Sequence, residues 1–143
     1  MSRIGKSWAW IALALAIGGP LATSAQTKAA ERERVVVQVS DDDAKTWNQA
    51  LNVVKNLQQA YNGNIDVELV AFGNGIGILK MDSEVGNRIE ETMSSGTKVL
   101  ACENTMRGRK LTPTDMLAKI GYVPSGVVEI VKKQKAGWAI IRP

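Results

Sequence analysis

The stretch VVVQVSDDDAKTWNQALNVVKNLQQAYNGNIDVELVAF, residues 35–72, decides the fold of this chain. Residues 35–40 are rich in β-branched side chains and are bounded by polar residues, a pattern that predicts a buried strand. The aspartates at 41–43 precede apolar side chains at helical spacing, which predicts an amphipathic helix ending near 62–64. Residues 65–72 predict a second buried strand. The stretch is therefore a strand–helix–strand unit.

The next part of the chain continues this alternation. A glycine-rich turn at 73–77 leads to a predicted second helix, for which Ser83 or Asp82 can provide the cap. Residues 97–102 predict a third strand. A basic loop is predicted over 103–111.

The last part of the chain predicts two more helices and two more strands. Thr112 and the proline after it mark the start of a short third helix that ends at Gly121, and a brief fourth strand follows. Residues 127–131 fit a strand by their β-branching and a helix by their apolar spacing; we predict a helix, with Ser125 as its cap. Residues 138–141 predict the last strand. Strands that alternate with helices indicate a parallel sheet with helices on both faces.

The first residues have the organisation of a secretory signal peptide. Arg3 and Lys6 supply a positive start, and residues 8–17 form an unbroken apolar run. That run is about ten residues long, within the roughly 7–15 expected of a signal peptide, whereas a membrane-spanning helix needs about 20. Small residues at 23–25 predict cleavage before Gln26, with an uncleaved anchor as the alternative. The predicted domains are a signal peptide at 1–25, a linker at 26–34 and one α/β domain at 35–143.

Composition excludes several classes of protein. The formal net charge is +4 and includes Arg3 and Lys6, so charge is weak evidence for a nucleic-acid or membrane partner. The lysines at 132–135 are expected on a solvated helix face. The sequence has one cysteine and no histidine. An intramolecular disulfide, a histidine-based catalytic triad and a His/Cys zinc site are therefore excluded, and we expect neither metal nor cofactor.

The glycine-rich segment and the aspartates at 41–43 can each be interpreted either as a ligand-binding site or as a purely structural feature. A dinucleotide-binding fingerprint would need glycine where Ile78 stands, so the glycine-rich segment is interpreted as a tight turn. The backbone amides of Gly73 and Gly75 could still face a small anion. The aspartates at 41–43 could hold a metal, but they also suit a helix start, where negative charge meets the helix dipole. We prefer the capping role.

Cys102 is the candidate catalytic residue. It ends the third strand, and in open α/β sheets sites form at the carboxyl ends of strands. Arg107 and Arg109 follow it, and nearby cations lower the pKa of a thiol and favour the reactive thiolate. Asn104 completes the set expected to bind an anion or stabilise the thiolate. The alternative is that Cys102 is a small buried hydrophobic residue.

The sequence resembles the DsrE/DsrF-like family of small sulfur-relay proteins, in a branch that carries signal peptides. The resemblance covers residues 35–143 and is carried by four stretches: VSDDDAKTWNQALNVVKNL, VELVAFGNGIGIL, VLACENTMRGRKLT and VPSGVVEIVKKQKAGWAIIRP. It implies a three-layer α/β/α fold with a parallel five-stranded sheet, assembled as homotrimers or homohexamers. In sulfur-transferring members a cysteine at the end of the third strand carries a persulfide, and Cys102 matches that position. Many relatives have a histidine before the glycine turn and a proline inside it, where this chain has Phe72 and Asn74.

The resemblance and the residues together predict a periplasmic sulfur-handling protein. Cys102 would accept and pass sulfane sulfur, or a reduced sulfur anion would bind near Arg107 and Arg109. The protein would be a carrier more than a turnover enzyme, and its partners would be a sulfur donor or acceptor protein and further copies of itself. The alternative is a non-catalytic oligomeric binding or scaffold module in which the cysteine is structural.

Overall fold

A computed structural model describes residues 31–143, so the predicted signal peptide lies outside the described residues. The strands are β1 Glu33–Val39, β2 Ile65–Ala71, β3 Lys98–Cys102, β4 Gly121–Val123 and β5 Ala139–Ile141. The helices are α1 Ala44–Ala60, α2 Gly86–Ser94, α3 Glu103–Gly108 and α4 Gly126–Lys135, with 3-10 segments at Gly73–Leu79 and Pro113–Asp115.

The five strands form one parallel sheet in the order β4-β3-β2-β1-β5. Its register places Val37 beside Leu69 and Leu69 beside Val99, and these side chains are 0%, 0% and 3% exposed. This row faces the larger core, which also contains Leu51 of α1 and Ile89 of α2. The predicted parallel five-stranded sheet is confirmed.

The opposite face of the sheet has a smaller core under α4. Val36 and Val70 pack there with Ile130 of α4, and the partly buried Phe72 and Leu100 flank them. Helices therefore cover both faces, as a three-layer α/β/α fold requires. Cys102 lies two residues beyond Leu100 on the same strand, and alternate residues of a strand share a face. Its side chain therefore belongs to the α4 side of the sheet.

The predicted loop over 103–111 is wrong, because its first part is helix α3. The helix begins directly after β3, since the Cys102 side chain accepts a hydrogen bond from the Thr105 backbone N–H and so caps it. Only the residues after Gly108 form a loop.

The predicted third helix ending at Gly121 is also wrong, because it is reduced to the single turn Pro113–Asp115. Thr112 and Asp115 cap that turn reciprocally, as the sequence suggests, but Met116 then adopts an extended conformation. Met116 forms an antiparallel bridge with Lys80, and the backbone N–H of Leu117 donates to the carbonyl of Leu79 at 2.9 Å. These contacts with a distant segment stop the helix from continuing.

Capping was predicted correctly for one helix and wrongly for another. Asp43 caps α1 by accepting hydrogen bonds from the Thr46 amide at 2.9 Å and the Thr46 hydroxyl at 2.8 Å. These bonds lower the pKa of the Asp43 carboxyl. By contrast, α2 has Val85 at its cap position without a side-chain capping bond, and Asp82 forms an ion pair with Lys80 instead.

The lysine cluster of α4 does not lie wholly in solvent. Lys132 and Lys135 are exposed, but the Nζ of Lys133 lies 2.7 Å from Oε1 of Glu68, whose side chain is 3% exposed. The same ammonium group stands 4.3 Å from the ring centroid of Trp138. A carboxylate buried in a sheet needs a paired cation, so Lys133 holds α4 against β2.

Within residues 31–143, no helix has both the length and the apolar character needed to cross a membrane.

Candidate functional site

The candidate site is built around Cys102, at the carboxyl end of β3. This strand lies between β2 and β4, and its last residue pairs in register with Val123. The cysteine is 4% exposed and is a free thiol. It is also the cap residue of α3, so its sulfur points at the first backbone amides of that helix.

The sulfur is surrounded by hydrogen-bond donors. The N–H of Thr105 donates to Sγ of Cys102 at 3.5 Å. Burial raises the pKa of the Cys102 thiol, while the Thr105 hydroxyl and the backbone amides of Gly126, Thr105 and Asn104 lower it by donating hydrogen bonds. The lowering outweighs the effect of burial, so the pKa lies below its ordinary value. A hydrogen bond to the charged form favours the thiolate.

A second helix reaches the sulfur through a glycine. Gly126 is the first residue of α4, and a Cβ placed on it would lie 3.4 Å from Cβ of Cys102 and 3.0 Å from Cβ of Phe72. The absence of a side chain lets the start of α4 approach the end of β3 closely. The amides that face Cys102 therefore come from two helices, α3 and α4.

The two arginines predicted to stabilise the thiolate are exposed and bound to asparagine side chains. Arg107 donates to Oδ1 of Asn104 at 3.3 Å, and Arg109 donates to Oδ1 of Asn74. The backbone N–H of Asn104, one of the amides that lower the pKa of Cys102, also donates to the carbonyl of Pro124 at 3.2 Å. Hydrogen bonds account for the lowered pKa of Cys102, and neither arginine is among the groups that lower it.

Arg109 also borders a separate cavity of about 590 Å³, which is lined in addition by Trp47, Lys80 and Asp82. Cys102 is not among the residues that line this cavity.

The glycine turn supports the site from the end of β2. The N–H of Gly73 donates to Oγ1 of Thr105 at 2.9 Å, and the N–H of Gly75 donates to the carbonyl of Phe72 at 3.0 Å. Both amides predicted to face an anion thus donate to groups of the protein. Gly73 has a φ of +55°, in the left-handed region that favours glycine.

Thr105 and Gly126 are the two site residues that the sequence analysis missed. For Thr105 the sequence does hold a signal, because Thr105 stands three residues after Cys102. A capping side chain commonly accepts a hydrogen bond from the backbone N–H three residues later. For Gly126 the sequence holds no comparable signal, because its role depends on where α4 packs.

In the described part of the chain, no three His, Cys, Asp or Glu side chains are grouped so that they could hold a metal ion. The groups that act on the Cys102 thiol are backbone amides and the Thr105 hydroxyl.

The fold and the site define a class of small three-layer α/β/α domains with a cysteine at the end of the third parallel strand. The sequence profile of the DsrE/DsrF-like family matches residues 23–143, and the chain belongs to this family. No functionally curated protein gives a significant sequence match.

Solved structures share the fold. A protein of unknown function from Methanobacterium thermoautotrophicum is 34% identical, with a TM-score of 0.75 over 78% of this chain and 99% of that one. The ychN protein from E. coli is 13% identical, with a TM-score of 0.64 over 78% and 99% of the two chains. A conserved protein of unknown function from Bacteroides thetaiotaomicron is 16% identical, with a TM-score of 0.65 over 78% and 95%.

Proposed function

We propose that this protein handles sulfur in the periplasm, accepting sulfane sulfur on Cys102 and passing it to an acceptor. One observation carries the proposal: the sulfur of Cys102 lies at the carboxyl end of a central strand, where hydrogen bonds lower its pKa below the ordinary value. An ordinary cysteine, with a pKa of about 8.5, is only about 3% thiolate at pH 7. A lowered pKa raises the fraction of the nucleophilic form.

The transfer step balances without an added oxidant or reductant. The Cys102 thiolate attacks the outer sulfur of a donor persulfide, R–S–SH. The S–S bond of the donor breaks, a new S–S bond forms to Cys102, and the donor leaves as the thiolate R–S⁻. An acceptor thiolate then attacks the outer sulfur, and Cys102 leaves as a thiolate. Since a low thiol pKa improves a leaving group, the same hydrogen bonds assist the release step.

Two exposed arginines that follow Cys102 in the sequence suit an anionic donor. Arg107 and Arg109 are exposed, and their hydrogen-bond partners on the protein are neutral asparagine side chains. Polysulfide and thiosulfate are anions, and exposed cations raise the local concentration of anions. We assign the arginines to capture of the donor, or to binding of a reduced sulfur anion near Cys102.

Mass spectrometry of the native protein tests the proposal. After incubation with polysulfide, we expect a mass increase of about 32 Da per added sulfur, which a reductant removes. Native protein that gains no sulfur, while urea-unfolded protein does, contradicts the proposal.

The burial of Cys102 favours a second candidate function, a non-catalytic binding or scaffold module with a structural cysteine. The residue is 4% exposed, as expected for a small hydrophobic side chain. Alkylation at neutral pH separates the two functions. Rapid modification of the folded protein supports sulfur transfer, and modification only after denaturation supports the module.

Export is the basis for placing the protein in the periplasm, and it rests on the signal-peptide pattern of residues 1–25. We expect the mature chain to begin at Gln26, because the small residues before it suit signal peptidase. The intact mass of protein purified from the periplasm should lack residues 1–25. A full-length protein that stays in the membrane fraction contradicts both the cleavage and the location.

We propose that the protein works as a homo-oligomer, a trimer or a hexamer, as the family resemblance implies. Apolar side chains on its surface support this: Val127, Val128 and Val131 of α4 are 54%, 50% and 43% exposed, and Met81 is 65% exposed. Burying such a surface between copies is favourable. Light scattering coupled to gel filtration should give a mass that is three or six times the chain mass. A monomer at every concentration contradicts the proposal.

A further inference from the structure

Thr105 contacts both the glycine turn and the reactive sulfur, the turn through its hydroxyl oxygen and the sulfur through its backbone N–H. Thr105 is the third residue of α3, and its backbone N–H donates to Sγ of Cys102 at 3.5 Å. On its other side, Oγ1 of Thr105 accepts the N–H of Gly73 at 2.9 Å. A single partly buried residue therefore connects the end of β2 to the cysteine at the end of β3.

The bond from Gly73 fixes the direction of the hydroxyl. A threonine hydroxyl has one proton to donate and two lone pairs that accept. The Gly73 amide is a donor, so it occupies a lone pair and leaves the proton free to point at the sulfur. A thiolate is a stronger acceptor than a thiol, so the hydroxyl bond strengthens when Cys102 ionises.

We infer that Thr105 is the positioning residue of the Cys102 thiolate: held by the Gly73 amide, its hydroxyl donates a proton to Sγ and stabilises the ionised sulfur. This inference deepens the proposed function and rests on it. It also gives the glycine turn a role without a bound anion, because the turn orients the hydroxyl that serves the cysteine.

Three charged side chains on α3 and α4 have partners of their own: Arg107, Glu129 and Lys133. On α3, Arg107 donates to Asn104, and Glu103 occupies the first turn. On α4, Glu129 lies 3.6 Å from Lys133, which also pairs with Glu68 of β2. The Thr105 side chain is a neutral donor on the residue whose backbone N–H contacts Sγ of Cys102, and it lowers the pKa of the thiol.

The experiment is the pH profile of Cys102 alkylation by iodoacetamide, measured on the purified full domain. Thr105→Val keeps the shape of the side chain and removes the hydroxyl. We expect its alkylation rate at pH 7 to fall about tenfold, which corresponds to about 1.4 kcal/mol lost from the thiolate, with the profile shifted to higher pH. Thr105→Ser keeps the hydroxyl and should restore the wild-type profile.

Thr46→Val is the matched control, because Thr46 occupies the same third position in α1 and its hydroxyl bonds to the capping Asp43 rather than to sulfur. It should leave the alkylation profile unchanged. Circular dichroism of each variant checks that the fold is intact, and if Thr105→Val fails to fold, Thr105→Ala and Thr105→Ser are compared instead. Equal profiles for the hydroxyl-bearing and hydroxyl-free variants overturn the inference.

Failure of the inference differs from failure of the proposed function. If wild-type protein gains sulfur but the Thr105 variants keep its alkylation profile, sulfur transfer stands and the role of Thr105 falls. If Thr105→Val shifts the profile but wild-type protein gains no sulfur from polysulfide, the role of Thr105 in setting the thiol stands and sulfur transfer falls.

Discussion

Cys102→Ser abolishes the mass increase that polysulfide produces on the native protein, while the fold and the assembly remain. The sequence contains one cysteine, so no second thiol can take over its role. A serine hydroxyl stays protonated at neutral pH and cannot act as the nucleophile. The expected loss is therefore complete rather than partial, and intact-mass spectrometry measures it.

The serine variant should fold because the replaced residue is a helix cap. Cys102 accepts the N–H of Thr105 at the start of α3, and serine is among the strongest capping residues. Its hydroxyl is smaller than a thiol and fits the same space. Thermal unfolding and light scattering of the variant provide the control. A serine variant that cannot fold assigns Cys102 to the core, and one that still gains sulfur shows that the adduct lies elsewhere.

Gly75→Ala lowers the stability of the domain by about 3 kcal/mol, at the upper end of the cost of overpacking. A Cβ at this position would overlap the backbone carbonyl of Val39 and lie 2.7 Å from the backbone N of Ser40. These are backbone atoms at the end of β1, and Val39 also accepts the N–H of Phe72 at 3.1 Å. Since the strand cannot give way, the glycine turn must move.

Thermal denaturation should show a drop in Tm of about 10 °C for Gly75→Ala. Movement of the turn also draws the Gly73 amide away from Thr105, so alkylation of Cys102 at pH 7 should slow. Gly108→Ala is the matched control: a Cβ on Gly108 meets nothing within 4 Å, and its backbone is not in the left-handed region. Wild-type stability in Gly75→Ala contradicts the tight contact between the turn and β1.

These contacts support the interpretation of the glycine-rich segment as a tight turn. Gly73 and Gly75 were candidates for anion binding because free amides in a turn can face an anion. Their N–H groups donate instead to Thr105 and to Phe72. The turn is needed for close packing against β1 and for orienting a hydroxyl, and both roles depend on residues more than 30 positions away along the chain.

The sequence by itself determined the features that depend on local pattern. The β-branched runs predicted β1, β2 and β3, the helical spacing predicted α1 and α4, and Asp43 was correctly interpreted as a cap. The position of Cys102 at the end of a central strand followed from the same patterns. These predictions succeed because side-chain period and β-branching act within a few residues.

Only the tertiary structure decided the rest, because it depends on contacts between distant residues. Packing between distant segments sets the strand order and ends the helix after Thr112. It also pairs Lys133 with the buried Glu68 and brings Gly126 close to Cys102. The same holds for the Cys102 thiol: its pKa is set by hydrogen bonds that two helices and their side chains bring together in space. A sequence places the cysteine on its strand, and the packed fold places the donors around it.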